Sequence, residues 1–154
     1  MLYTIGETAK ILNIAPSALR YYDKEGLLPF VERSGGGIRV FREEDFNWLF
    51  IIECLKKSGL SIKDIKSYID MAIKGDETIN DRLNLLKKQR EKVLMQMDEL
   101  KNTLDILEYK CWYYETAKKA GTTDVVKNIP TEQIPKHLQA AKEKLNSIHQ
   151  KQEQ

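Results

Sequence analysis

Long apolar runs are missing from this chain. None of its 154 residues lies in an unbroken apolar stretch of about 18, so the sequence offers no membrane-spanning helix. Its first residues, MLYTIGETAK, lack a basic cluster followed by an apolar stretch, and no signal peptide is expected. Two cysteines, Cys54 and Cys111, are too few for a disulfide framework, and a reducing cytoplasm is the expected compartment. Histidine is equally scarce. His137 and His149 both sit far along the tail, so neither thiol has a His–acid constellation in the sequence. That argues against a thiol enzyme, and no catalytic residue is assigned. Soft ligands are too scattered for a metal site, and no cofactor is implied. Excess charge of one sign is also absent. At a net +2, a nucleic-acid partner has to be argued from where the charges sit.

What is present begins with two short helices. Thr4-Ile5-Gly6-Glu7 has the form of a capping box. Ile5, Ala9, Ile11 and Leu12 supply an apolar stripe behind it. Asn13-Ile14-Ala15 turns the chain, and Pro16 suits the first position of a second helix ending near Gly26. This is the helix-turn-helix pattern. On the second helix, with about 100° between neighbours, Ser17, Arg20, Tyr21 and Lys24 share one polar face. Leu19 and Ala18 look inward. Tyr22 falls at the edge of the core side, its ring packed and its hydroxyl free to reach out. Arginine can read guanine bidentately and hydroxyls can bond phosphates, so this face suits a major groove.

Residues 29–33 and 38–41 flank Ser34-Gly35-Gly36-Gly37 and read as a hairpin. Alternation puts Arg39 on the face opposite Ile38 and Val40. Residues 33–42 carry Arg33, Arg39 and Arg42 and no acid. Residues 56–63 carry Lys56, Lys57 and Lys63 and no acid. Beside a helix-turn-helix, these two patches suit wings that clamp phosphates. A third helix opens at Glu43-Glu44-Asp45 and stops at Gly59, with Phe46, Leu49, Phe50, Ile52 and Leu55 as its apolar set. A fourth starts at Ser61 and stops at Gly75.

Between Asp76 and Lys119 there is neither glycine nor proline. Ile79, Leu83, Leu86, Arg90, Val93, Met97, Leu100, Leu104, Leu107, Cys111 and Tyr114 follow at alternating spacings of four and three. That heptad seam predicts a coiled coil, and a second chain to cover it. Leu86, Val93, Met97, Leu100, Leu104 and Leu107 are its candidate dimerisation residues. Tyr109, Trp112, Tyr113 and Tyr114 crowd its end and are expected to pack against the partner chain's N-terminal domain. Residues 124–150 suggest one or two short helices, with a frayed end at Gln150–Gln154. The reading is a mainly α chain with three parts. Residues 1–75 form a winged helix-turn-helix domain, 76–119 a dimerisation helix, and 120–154 a short helical tail.

In order, "YTIGETAKI", "ALRYYDKEGLL", "GIRVFREED" and "LKKSGLSIKDIK", followed by the long helix, resemble the MerR family of bacterial transcription regulators over residues 3–118. The resemblance implies a homodimer joined by an antiparallel coiled coil. It also implies a pseudo-palindromic promoter operator that the dimer distorts for RNA polymerase. By position, Arg20, Tyr21 and Tyr22 match the family's Arg-Tyr-Tyr, which contacts phosphates and groove. Thr4 and Ser17 match small hydroxyl positions near the DNA backbone. Arg33 and Arg39 belong to the first wing, Lys56 and Lys57 to the second. Ala15 stands where the family commonly has a capping serine. Ile38 and Phe41 replace two tyrosines of the wing. "DFNWLFIIECLKKSGLSI" and "YKCWYYETA" further resemble a subgroup responding to reactive aldehydes or nitrosative stress. Its third-helix cysteine, the electrophile sensor, matches Cys54. From residue type alone, Cys54 reads as a small packed hydrophobe. Two other readings stand beside this one: a coiled-coil adaptor that binds protein, and a regulator answering a non-covalent small molecule.

Overall fold

The computed structural model describes the backbone of residues 1–152 and the side chains of residues 1–147. The fraying expected of Gln150–Gln154 concerns side chains and last residues outside that description. The chain divides into two compact units, Met1–Glu91 and a second beginning at Lys92.

In the first unit, Thr4 caps α1 (Ile5–Leu12) through the expected capping box. Ile5, Thr8, Ala9 and Leu12 fall at helical spacing and turn toward the core, whereas Ile11 is exposed. Asn13 then takes a left-handed backbone, φ 52°, which asparagine tolerates better than most residues. This tight turn leads into α2 (Pro16–Lys24), which starts on Pro16 with no side-chain cap from Ala15.

The hairpin forms as β2 (Glu32–Arg33) and β3 (Arg39–Phe41), and β1 (Tyr3–Thr4) adds a third strand in the order β1-β3-β2. Two residues are too few to show alternation, so β1 left no periodic signal in the sequence. Phe41 is fully buried. With a period of two, Arg39 therefore shares the inward face and Ile38 points out.

Helix α3 (Glu43–Lys57) buries Leu49, Ile52 and Leu55, while Phe50, expected in the same apolar set, stands exposed. Ser61 caps α4 (Ile62–Lys74) by accepting from the Asp64 amide at 3.1 Å. Ile65 and Ile69 join Leu19, Tyr22, Leu27, Phe41, Leu49 and Ile52 in one core. Each such side chain stabilises the fold by roughly 1.5–3 kcal/mol through burial.

A single 3₁₀ turn at Asp76–Thr78 precedes α5 (Ile79–Ala120). The buried Gln89 side chain donates to the Ser58 carbonyl at 2.6 Å and so ties the start of α5 to the end of α3. The seam is open along α5. Leu86, Met97, Leu100, Leu104, Leu107 and Tyr114 are exposed, Leu100 at 70%, and Val93 is half-buried.

In the second unit the tail forms helices as expected, the last of them, at 17 residues, longer than the short helices expected. After α6 (Asp124–Lys127) and a 3₁₀ turn, α7 (Lys136–Gln152) packs onto α5. Tyr109, Ile134, Leu138 and Ala141 form the buried cluster, flanked by Trp112 and Tyr113. Of the aromatic group expected to meet a partner chain, Tyr109 is buried and Trp112 and Tyr113 partly buried by the chain's own tail, while Tyr114 is exposed. α7 takes the Tyr109 face of α5 and leaves the seam face uncovered. Among the described residues, no helix is long and apolar enough to cross a membrane.

Candidate nucleic-acid interface

Burial of Leu19 and Tyr22 sets the rotation of α2 about its own axis. Ser17, Arg20, Tyr21 and Lys24 then all lie outward and exposed, as the helical phase requires. Tyr22 departs from expectation. Its ring is fully buried, and its hydroxyl donates to a Glu53 carboxylate oxygen and accepts from Lys56 Nζ at 3.0 Å. The hydroxyl does not reach out from the surface. Sequence phase alone left Tyr22 at an edge. The packing of α3 against α2 closes that edge.

The two wings differ in the same way. Arg39 forms an ion pair with Asp23 of α2, and Arg33 approaches the same carboxylate at 3.6 Å. Only a fifth of each of the Arg39 and Asp23 side chains is exposed. Arg39, expected to meet phosphate, is turned inward because it shares the face of Phe41. Arg33 is more open and also donates to the Gly37 carbonyl at 3.3 Å. Lys56 lies over the Tyr22 ring, 5.3 Å from its centre, as well as bonding its hydroxyl. Lys57 is exposed. Thr4 is exposed, but its hydroxyl already donates to Glu7 at 2.9 Å and accepts from the Glu7 amide. The Thr4 bonds hold the Glu7 carboxyl below the usual glutamate range.

Both cysteines are exposed. The packed environment expected for Cys54 is absent, because the phase that buries Ile52 and Leu55 turns Cys54 out with Phe50. Cys111 lines an open groove of about 510 Å³ with Leu104, Trp112, Leu138 and His137. His137, distant in sequence, is brought there by α7.

Three side chains that matter here escaped the sequence reading. Asp23 is the single acid in α2, the one available signal for its role. Glu53 and Gln89 carried no signal at all, since their partners lie 31 residues away in each case.

A helix-turn-helix with a hairpin wing, followed by a long helix with an open apolar seam, defines a winged helix-turn-helix regulator. The model for the MerR HTH family regulatory proteins matches residues 3–72. An HTH-type transcriptional regulator of Haemophilus influenzae is 46% identical over 135 residues, covering 88% of this chain and 98% of that protein. The Bacillus subtilis HTH-type transcriptional regulator AdhR is 37% identical over 90 residues, 58% of this chain and 64% of its own length. Among solved structures, HiNmlR, a MerR family regulator lacking the sensor domain and bound to promoter DNA, superposes with a TM-score of 0.78 at 46% identity. It covers 88% of this chain and all of its own. The chain belongs to the MerR family of helix-turn-helix transcriptional regulators.

The Tyr22 cluster has a pH signature. Burial, then the bond to Glu53, raises the Tyr22 hydroxyl above its ordinary value, against an opposing pull from Lys56. The bond to Tyr22 raises Lys56 as well. A raised folded-state value favours the protonated form in the folded chain. The stability it contributes is therefore whole below the ordinary values near 10 and lost as pH rises past them. We expect urea-unfolding free energy to be level from neutral pH to about 9 and to fall beyond about 10. Tyr22→Phe should cost about 0.5–1.5 kcal/mol at neutral pH and make the alkaline fall shallower.

Proposed function

We propose that this regulator binds a pseudo-palindromic promoter operator as a homodimer and distorts the DNA for RNA polymerase. The observation that carries this is the exposed Ser17, Arg20, Tyr21 and Lys24 face on the second helix of the helix-turn-helix. Four polar side chains stand together on a helix whose opposite side is locked into the core. HiNmlR, similar over its whole length, is bound to promoter DNA in its crystal structure, which supports the same partner here. In this reading residues 1–75 bind DNA, 76–119 dimerise and 120–154 brace the end of the long helix. Arg20 and Tyr21 enter the groove, with Ser17, Lys57 and Arg33 at phosphates. Thr4, Arg39, Lys56 and Tyr22 hold the surfaces that do so. Affinity has the strong salt dependence of phosphate neutralisation, and distortion adds readout through deformation energy.

Dimerisation follows from the exposed seam. Leu86, Val93, Met97, Leu100, Leu104 and Leu107 would meet an antiparallel copy and remove that apolar surface from water. Leu100→Asp with Leu104→Asp should give a monomer by light scattering. A variant that stays dimeric removes the coiled-coil assignment.

For DNA, Arg20→Ala should cost about 1–3 kcal/mol of operator affinity if the guanidinium reads a base. If it meets phosphate, the salt slope should fall by about one. Fluorescence anisotropy across a salt series measures both, and no change in either removes Arg20 from the interface.

The signal in this reading is a reactive electrophile sensed by the Cys54 thiol, in the manner of the aldehyde and nitrosative-stress subgroup. Exposure makes Cys54 reachable. Cys54 is next in the chain to Glu53 and on the same turn of α3 as Lys56, the two residues that grip Tyr22 of α2, so an adduct acts through the backbone of α3. Strain from an overfilled core is not the route, because the thiol is not packed. The open groove beside Cys111 favours a second reading, a non-covalent apolar ligand. Promoter-driven transcription with and without formaldehyde separates the two. Cys54→Ser should abolish the response and Cys111→Ser should keep it. A normal response from Cys54→Ser would place the sensor elsewhere.

A further inference from the structure

Strand pairing creates a problem that only α2 solves. In the hairpin register, Arg33 lies directly opposite Arg39. Like charges in that position repel and would open so short a ladder. The Asp23 carboxylate meets both, ion-paired to Arg39 and 3.6 Å from Arg33. Each strand here has at most three residues, so the backbone ladder alone holds the hairpin weakly. The Arg39 Nε is buried and finds no hydrogen-bond partner among the described residues. Loss of Asp23 would therefore strand a largely enclosed guanidinium.

We propose that Asp23 is a positioning residue: it fixes the wing to the recognition helix by holding Arg39 and Arg33 as their shared counter-ion. Asp23 follows Arg20 by one helical turn, so the pair sets the distance between groove-reading side chains and wing. The wing's charge is divided accordingly. Arg39 is spent inside the protein, and the more open Arg33 is left for a phosphate. This rests on the DNA-binding reading only for its consequence. The fixing of the hairpin is a property of the free protein.

Two measurements on Asp23→Asn and Asp23→Glu test it. In hydrogen exchange of the free protein, Asp23→Asn should exchange the amides of residues 32–41 roughly tenfold faster, with α3 and α4 unchanged, and Asp23→Glu should restore protection. In anisotropy, the duplexes are the region directly upstream of the protein's own gene and a scrambled duplex of the same composition. Asp23→Asn should reduce the preference between them by roughly tenfold while keeping or raising affinity for the scrambled one, since a negative charge is gone. Unchanged hairpin exchange overturns the proposal. So does an Asp23→Asn variant that binds both duplexes more tightly by one factor, since Asp23 would then be only a repelling charge. If the wild type binds neither duplex while the hairpin still loosens in Asp23→Asn, the DNA reading falls and the positioning role stands.

Discussion

The rotation of α2 about its own axis is the constraint on which the rest depends. Leu19 and Tyr22, three residues apart and both fully buried, admit only one phase. Once they are inside, Ser17, Arg20, Tyr21 and Lys24 have nowhere to point but outward. The hydroxyl of Tyr22 makes this phase more exacting than apolar contact alone. A buried phenol must be satisfied, and Glu53 and Lys56 of α3 satisfy it from a single helical turn. Slipping α2 by one residue would bury Arg20 or Tyr21 and strand the phenol, which sets a high cost on any other arrangement.

The same helix is held from its other side by charge. Asp23 draws in Arg39 and Arg33, and the wing is thereby referred to α2 and not only to its own short ladder. A protein with little net charge can still present a basic surface in this way. Asp23 is drawn inward to Arg39 and Glu53 is held by the Tyr22 hydroxyl, while Arg20 and Lys24 stay exposed on the outer face of α2. Desolvated pairs of this kind position well because removing one partner costs far more than their net attraction suggests.

In the second unit the balance is apolar. The tail helix α7 takes the Tyr109 side of α5 and buries Leu138 and Ala141 there. The heptad side remains open, with leucines that a lone chain would not keep in water. One face of the helix is thus covered by the chain's own tail, and its heptad face is exposed.

Local signals decided much of this. Capping residues, Pro16, the glycine turn and the helical period are properties of neighbours in the chain, and they are legible without a fold. From them came the helix-turn-helix, the hairpin, the long helix with its seam, and the shared face of Ser17, Arg20, Tyr21 and Lys24. The family motifs are equally local. What stayed hidden joins residues far apart. The sequence could not say that Phe41 would be the buried residue of β3, and so could not say that Arg39 faces inward to Asp23. It placed Tyr22 at an edge because the edge is closed by α3, 31 residues on. It packed Cys54 and Phe50 on composition, although the phase chosen by Ile52 and Leu55 exposes both. Helices in the tail were legible too, but not that α7 would be the longer of them and take the Tyr109 face of α5. Periodicity determines which residues share a face. Only tertiary packing determines which face is in, because that depends on partners brought together from distant parts of the chain.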